Sequence, residues 1–333
     1  MPDFFITGAT GMVGSNLVRR LVKDGYSVRI LIRDSEIHQP LLHNLKVEKH
    51  KGDLKLVETL ASGMRGCKTV IHCAGMISYS RHNRENLYEI NRSGTENMLM
   101  SAMAANVDRF IHTSSTAAIG YSRSPRPLTE NAEFKKEYCR IAYMHSKWLA
   151  EEAVRKAKQV GFDVTIVCPS TIYGKGDIKF NNGKLFADLL SGRLNKIPPG
   201  GNGVVAVDDV VQGILLALKK GQSGERYILN TENITYSDFF EQIAAVLGIK
   251  LPESKLSKKT KFPLKLMSAI ADTSLSLVGK DAPISPAIID ISYSYRYFSS
   301  KRAKEELGWQ AQKPINEALG EAVDFYRQNG LLS

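Results

Sequence analysis

Residues 4–34 read "FFITGATGMVGSNLVRRLVKDGYSVRILIRD", and few folds accommodate that order. Phe4 to Thr7 form a short apolar strand. Gly8, Gly11 and Gly14 follow at G-x-x-G-x-x-G spacing. Val13, Leu17, Leu21 and Val22 then recur at helical intervals. Gly25 closes that helix, and "YSVRILI" is a second strand. The unit is strand, glycine turn, helix, strand, and it points to a parallel α/β sheet. A tight turn from strand to helix needs residues without Cβ. A pyrophosphate can approach backbone only where no side chain intervenes. The helix N-terminus beyond adds unpaired N–H groups and a positive dipole end. A glycine turn without a ligand is the alternative; the strand before it and the helix after it favour a dinucleotide site.

The end of the second strand meets the adenosine ribose in such units. An acidic residue there suits NAD, and an arginine suits the 2′-phosphate of NADP. Here Arg33 follows Ile32, and its forked guanidinium matches a phosphate. Asp34 comes next, with its side chain expected on the other side. The expectation is NADP(H) over NAD(H).

The chain has 333 residues, enough for one large α/β domain or for a large domain with a smaller lobe. Cys67, Cys73, Cys139 and Cys168 show no metal-type spacing, which fits a reduced, cytoplasmic setting. The first strand begins almost at the N-terminus, so no signal peptide is expected. No apolar run reaches the length of a membrane span. Residues 263–278 are fairly apolar but carry Ser268, Asp272, Thr273, Ser274 and Ser276, and read as a helix with one buried face. The net charge is +11, with Lys250, Lys255, Lys258, Lys259, Lys261 and Lys265 contributing. Without interleaved aromatic residues this reads as a solvated lysine-rich loop, and no nucleic-acid partner is expected.

In "AYMHSK", residues 142–147, Tyr143 and Lys147 stand four apart and share one helix face. With the glycine turn and this Y-x-x-x-K together, the chain resembles the extended short-chain dehydrogenase/reductase family, the NAD-dependent epimerase/dehydratase superfamily. "GDL" (residues 52–54), "VIHCAG", Asn91 in "EINRSGTENML", "FIHTSSTAAIG" and "VCPSTIYG" resemble further family segments in the same order. "VRILIRD", "GVVAVDDVVQGILLAL" and "YFSSKRAKEELGW" are similar to the dihydroflavonol 4-reductase and steroid-dehydrogenase-like branch.

The resemblance implies a doubly wound (Rossmann) parallel sheet of about seven strands with a smaller, mostly helical C-terminal substrate lobe. Residues 1–174 with 204–235 would bind NADP, and 175–203 with 236–333 would cover the substrate. The cofactor contacts it implies are Gly8, Thr10, Gly11, Met12 and Val13 of the turn, then Arg33, Asp53 and Leu54. Cys73, Ala74, Gly75, Asn91, Thr113, Pro169 and Ser170 complete the set with Tyr143 and Lys147. Tyr143 would pass a proton to or from the substrate oxygen as hydride moves. Bringing a phenol from about 10 down by ~3 takes ~4 kcal/mol, to come from Lys147 and an oxidised nicotinamide. The family's lysine also hydrogen-bonds the nicotinamide ribose. Of Thr113, Ser114, Ser115 and Thr116, the family pattern selects Ser115 as the second donor, with Thr116 next.

His72, His112 and His145 have no metal-ligand partners at suitable spacing. Met76, Ser78, Tyr79, Ser115, Tyr173 and the Lys179–Leu185 loop are the expected substrate contacts. A small molecule with a carbonyl or hydroxyl is the expected partner, and the resemblance implies a possible homodimer. The leading expectation is an NADP(H)-dependent carbonyl reductase or alcohol dehydrogenase. The alternative is a nucleotide-sugar epimerase or dehydratase. That alternative commonly carries an arginine where "GNGVVAVDDV" has Gly203 and Val204, and a lysine two beyond the glycine of "HCAG", where Ile77 stands.

Overall fold

The structure, a computed structural model, describes residues 2–33, 40–251, 254–280, 282 and 284–332; Asp34 lies outside them. Its strands are β1 (Phe4–Thr7), β2 (Val28–Ile32), β3 (Glu48–Lys51), β4 (Thr69–His72), β5 (Arg109–Thr113), β6 (Val164–Pro169), β7 (Thr171–Tyr173), β8 (Gly201–Ala206), β9 (Arg226–Leu229), β10 (Glu232–Thr235) and β11 (Tyr295–Arg296). Seven of them form one parallel sheet in the order β3-β2-β1-β4-β5-β6-β9. The expected fold class is therefore present, with the "RYIL" segment as its seventh strand. The strand order reverses between β1 and β4, and a crevice opens there at their carboxyl ends.

Both faces of this sheet are covered, which is why most of its strands read as continuous apolar runs. Helices α1 (Met12–Lys23), α2 (Val57–Met64), α3 (Arg84–Leu87), α4 (Gly94–Ala104) and α5 (Ala142–Gln159) belong to the first six strands. Between α3 and α4 the chain continues as a π-helical stretch, Tyr88–Ser93. One face packs Leu17 and Leu21 of α1 with Val210 and Ile214 of α7 (Val207–Lys220). The other packs Met98 and Leu99 of α4 with Val154 and Ala157 of α5.

α7 begins without a side-chain cap. Its cap is Ala206, without a side-chain bond, and Asp208 and Asp209 lie in the first turn. The Asp209 carboxylate instead accepts Gln312 N–H at 2.9 Å and Lys313 N–H at 3.3 Å, pinning the C-terminal chain. Gly308 takes the left-handed conformation, φ 71°, at the end of its helical turn, as its position predicts.

A second sheet centres on β8, antiparallel to β10 and parallel to β7 and β11. The chain after Tyr173 thus passes through β8 of this second sheet before it returns to the main sheet at β9, and β8 runs across the expected boundary at 203/204. Helices α6 (Gly183–Leu190), α8 (Tyr236–Leu247) and α11 (Ile315–Gln328) share a core of Phe186, Phe239, Leu319 and Tyr326. Helices α9 (Lys261–Ser276) and α10 (Pro286–Ser292) pack together. α9 is not the expected helix with a buried apolar face. Its buried residues are Ser268 and Asp272, whereas Phe262, Leu266, Met267 and Ile270 are exposed.

A buried ionic cluster fastens α5 to the sheet. Glu151, fully buried, takes Arg226 at 3.0 Å, Arg155 at 2.9 Å and the Ser114 hydroxyl at 2.6 Å. A buried carboxylate is tolerated when its partners satisfy it and is destabilising when one is removed. Arg226→Met should therefore lower stability by about 3 kcal/mol, because Arg155 alone remains. Urea unfolding of the two proteins checks this.

Candidate active site

The glycine turn closes on itself and on the neighbouring strand. Gly8 has φ +69°, and a Cβ there would lie 2.6 Å from Ala74 N. Gly11 N–H donates to Gly8 O at 2.9 Å. A Cβ at Gly14 would fall 2.2 Å from that same oxygen, so α1 can pack this close only on glycine. Gly11 caps α1 without a side-chain bond, leaving the first N–H groups of the helix to an anion. Thr10, Met12 and Val13 are half-buried beside it.

Further expected cofactor contacts stand at the end of β6 and beyond β3. Pro169 and Ser170 are buried at the end of β6, and Ser170 Oγ has no hydrogen-bond partner among the described residues. Asp53 Oδ1 accepts Lys55 N–H at 2.9 Å, and Leu54 O accepts Asn97 Nδ2 at 2.8 Å. A close-approach cradle at a helix N-terminus, with an unsatisfied hydroxyl nearby, fits a dinucleotide.

Arg33 is exposed beyond β2. Lys179 reaches the same end, because Asn16 Nδ2 on α1 holds Lys175 O at 3.0 Å and draws the 175–179 loop over the turn. Burial lowers the Lys179 pKa, and the Arg33 charge lowers it further. The Lys179 ammonium thus lies within electrostatic reach of Arg33.

The reacting centre forms where α5 meets β4 and β5. Tyr143 and Lys147 are both buried. Lys147 Nζ donates to Thr113 O at 3.1 Å. Asn91, in the π-helical stretch, accepts Met76 N–H at 2.8 Å and donates to Met76 O at 2.9 Å and to Ser146 Oγ at 3.0 Å. It thereby ties the chain after β4 to α5. Gly75 leaves the space between them open: a Cβ there would be 3.4 Å from Asn91 Oδ1 and 3.9 Å from Lys147 Nζ.

The four hydroxyls after β5 separate by their partners. Thr113 Oγ1 lies 3.3 Å from Cys73 Sγ, and Ser114 bonds Glu151. Thr116 is buried. Ser115 Oγ accepts Ala117 N–H at 3.1 Å, and its hydroxyl lowers the Tyr143 pKa. His145 lies away from the pair, 2.9 Å from Tyr88 Oη and stacked on Phe134 and Trp148. His72 and His112 stack inside the sheet at 5.5 Å, and burial takes His72 down to about 3. Among the described residues no cluster could hold a metal ion.

The charges near the phenol differ from those expected. Burial raises the Tyr143 pKa, Tyr79 adds to the rise, and Ser115 and Arg296 oppose it. The phenol is thus protonated at neutral pH. Burial brings Lys147 itself down to about 8, against the opposing pull of Glu151.

Arg296 could not be linked to this centre by sequence spacing. β11 pairs Arg296 with Asn202 of β8, directly beside Gly203. Its Nη2 is 3.4 Å from Tyr236 Oη, and its Nε is buried without a hydrogen-bond partner among the described residues. Tyr79 stands edge-on to Tyr143 at 5.6 Å. Burial opposes the Arg296 charge, but the Tyr236, Tyr79 and Tyr173 phenols outweigh it, so its pKa moves up. Met76 and Ser78 are half-buried on the same segment as Tyr79. An arginine flanked by tyrosines in "YSYRYF" was the available signal.

Comparison with known proteins matches residues 4–230 to the model of the NAD dependent epimerase/dehydratase family. A protein of Synechocystis sp. carrying the provisional name dihydroflavonol 4-reductase is 34% identical, over 98% of this chain and 95% of its own. Sterol demethylase protein B of Methylococcus capsulatus is 30% identical, over 98% and 99%. The crystal structure of gox2253 superposes with a TM-score of 0.86 at 31% identity, covering 100% of both chains.

The folded pKa of Lys147, about 8, lies below its ordinary 10.5. Folding thus penalises the charged form, fully below about pH 8 and progressively less as pH rises toward 10.5. Lys147→Met should raise the stability of the cofactor-free protein by up to about 3 kcal/mol at pH 7. That gain should shrink by pH 10.5, as urea titrations at the two pH values would show.

Proposed function

The chain belongs to the NAD dependent epimerase/dehydratase family, and we propose that within it this protein is an NADP(H)-dependent carbonyl reductase or alcohol dehydrogenase. The observation that carries the reading is the buried, protonated Tyr143 phenol with Ser115 beside it and Lys147 one turn along α5. In reduction, bound NADPH supplies a hydride to the substrate carbonyl carbon. Tyr143 gives its proton to the carbonyl oxygen. Ser115 donates a hydrogen bond to that same oxygen, where negative charge develops. Lys147, charged below about pH 8, favours the phenolate left behind. Asn91 and the Thr113 carbonyl keep the lysine end of α5 in register with the chain after β4. The names of two relatives, dihydroflavonol reductase and sterol demethylase protein, suit a bulky ring alcohol or ketone as substrate.

A specific observation favours the second reading, a nucleotide-sugar epimerase or dehydratase. Gly203 and Val204 lack the expected cation, but Arg296 on the adjacent strand brings one to the same place. Net NADPH oxidation with ketones or aldehydes supports the reductase. Isomerisation of a nucleotide sugar without net consumption of NADPH supports the epimerase. Tyr143→Phe should lower kcat by roughly 10²–10⁴-fold with little change in NADPH affinity. Full turnover in that variant would rule out the acid–base role.

For the cofactor, Arg33 and the nearby Lys179 offer two cations where the 2′-phosphate of NADP would lie. Arg33→Ala should weaken NADPH binding roughly tenfold or more, and NADH binding by less than about twofold. Fluorescence titration of both nucleotides measures the two constants; equal losses would remove the NADP preference.

A further inference from the structure

Helix α9 is amphipathic in the inverse sense. Phe262, Leu266, Ile270 and, just past its end, Leu277 follow one stripe at helical spacing, with Met267 and Val278 at its edge. These six side chains are between 54% and 83% exposed. Ser268 and Asp272 are buried on the opposite side. Lys261 and Lys265 pair there with Asp290 of α10. The seam with α10 is thus largely polar, and the apolar stripe faces out. Isolated exposed apolar residues need no explanation, but a contiguous stripe on one helix does.

Cations frame the stripe. Lys255, Lys258 and Lys259 are exposed just before α9, and Lys280 is exposed just after it. We propose that this face is a docking surface for an anionic lipid bilayer, with α9 lying in the plane of the interface. An apolar stripe flanked by lysines is the pattern of an interfacial helix: the stripe enters the acyl boundary, and the lysines meet acidic headgroups. Among the described residues no helix is long and apolar enough to cross a membrane, so the contact is one of lying on the surface.

Charge decides against two other occupants. A second copy docked on the same face would bring the lysines of both copies together. A nucleic acid would meet the lysines but would leave the aliphatic stripe in water. The surface adjoins the substrate side of the cleft. A Cβ at Gly279 would lie 3.8 Å from His82 Cε1, on the loop that carries Tyr79. α10 leads directly into β11 and Arg296. Docking would therefore place the cleft next to the bilayer.

Flotation of the full-length protein with phosphatidylcholine vesicles, with and without about 30 mol % phosphatidylserine, tests this. The expected result is binding to the acidic vesicles, weakened at high salt, and little binding to the neutral ones. The combined change Leu266→Ser, Met267→Ser, Ile270→Ser should reduce binding at least roughly tenfold while NADPH affinity stays unchanged. Should that triple variant fail to fold, Lys258→Glu with Lys259→Glu carries the test, with an expected loss of roughly twentyfold or more. No binding to acidic vesicles, or wild-type binding by a folded variant, would overturn the proposal. So would a dimer in gel filtration that the apolar changes abolish without any vesicle binding, since a second copy would then cover the face. Retention on DNA or RNA in place of acidic vesicles would overturn it as well.

Discussion

The approach of α1 to the end of β1 is the constraint on which the rest of the molecule depends. The oxygen of Gly8 lies where a Cβ on Gly14 would fall, at 2.2 Å, and Gly8 itself presses on the backbone of β4. Three elements meet there with backbone against backbone. Because no side chains separate them, the sheet can reverse its strand order at that point and still stay packed. The same absence exposes the helix N-terminus to an anion. Stability and ligand recognition therefore make the same demand on these glycines, and a methyl group at Gly14 would violate both.

A second dependence runs through α5. Its middle carries Glu151, held by Arg226 and Arg155, and its first two turns carry Tyr143 and Lys147. A buried ion cluster is a poor source of stability but fixes orientation well, because rotating the helix would leave the carboxylate unpaired. The cluster thus aims the phenol and the amine into the cleft. Burial then sets their protonation: the phenol is held neutral, and the ammonium is brought to about 8, near the working range of a proton relay. Arg296 adds a cation that favours the phenolate, from a strand that belongs to the other sheet.

The two sheets divide the work unevenly. The parallel sheet is closed off by apolar packing on both faces. The smaller sheet carries Tyr173 on β7 and Arg296 on β11, and α8 beside it begins with Tyr236. Before β11, α9 and α10 are joined by the Lys261 and Lys265 pairs with Asp290, and α9 turns apolar residues outward. A helix built that way gains little from its own fold, so its outer face is where a further contact would stabilise it.

Much of this was legible in the chain itself. The glycine spacing, the apolar strand runs and the Tyr143–Lys147 interval are local patterns, set by backbone geometry over a few residues. They determined the parallel α/β fold, the glycine turn and the pairing of Tyr143 with Lys147; family likeness added Ser115. Tertiary structure alone decided what lies across from them. Lys179 comes within electrostatic reach of Arg33 where Asn16 holds the loop over α1. The Arg296 charge acts on Tyr143 because β11 pairs with β8, nearly a hundred residues earlier. α9 reads as half-buried by composition, yet its partner α10 offers Asp290 and turns its polar side inward. Local spacing fixes which residues share a face, but pKa, partner and exposure depend on what the rest of the chain brings to that face.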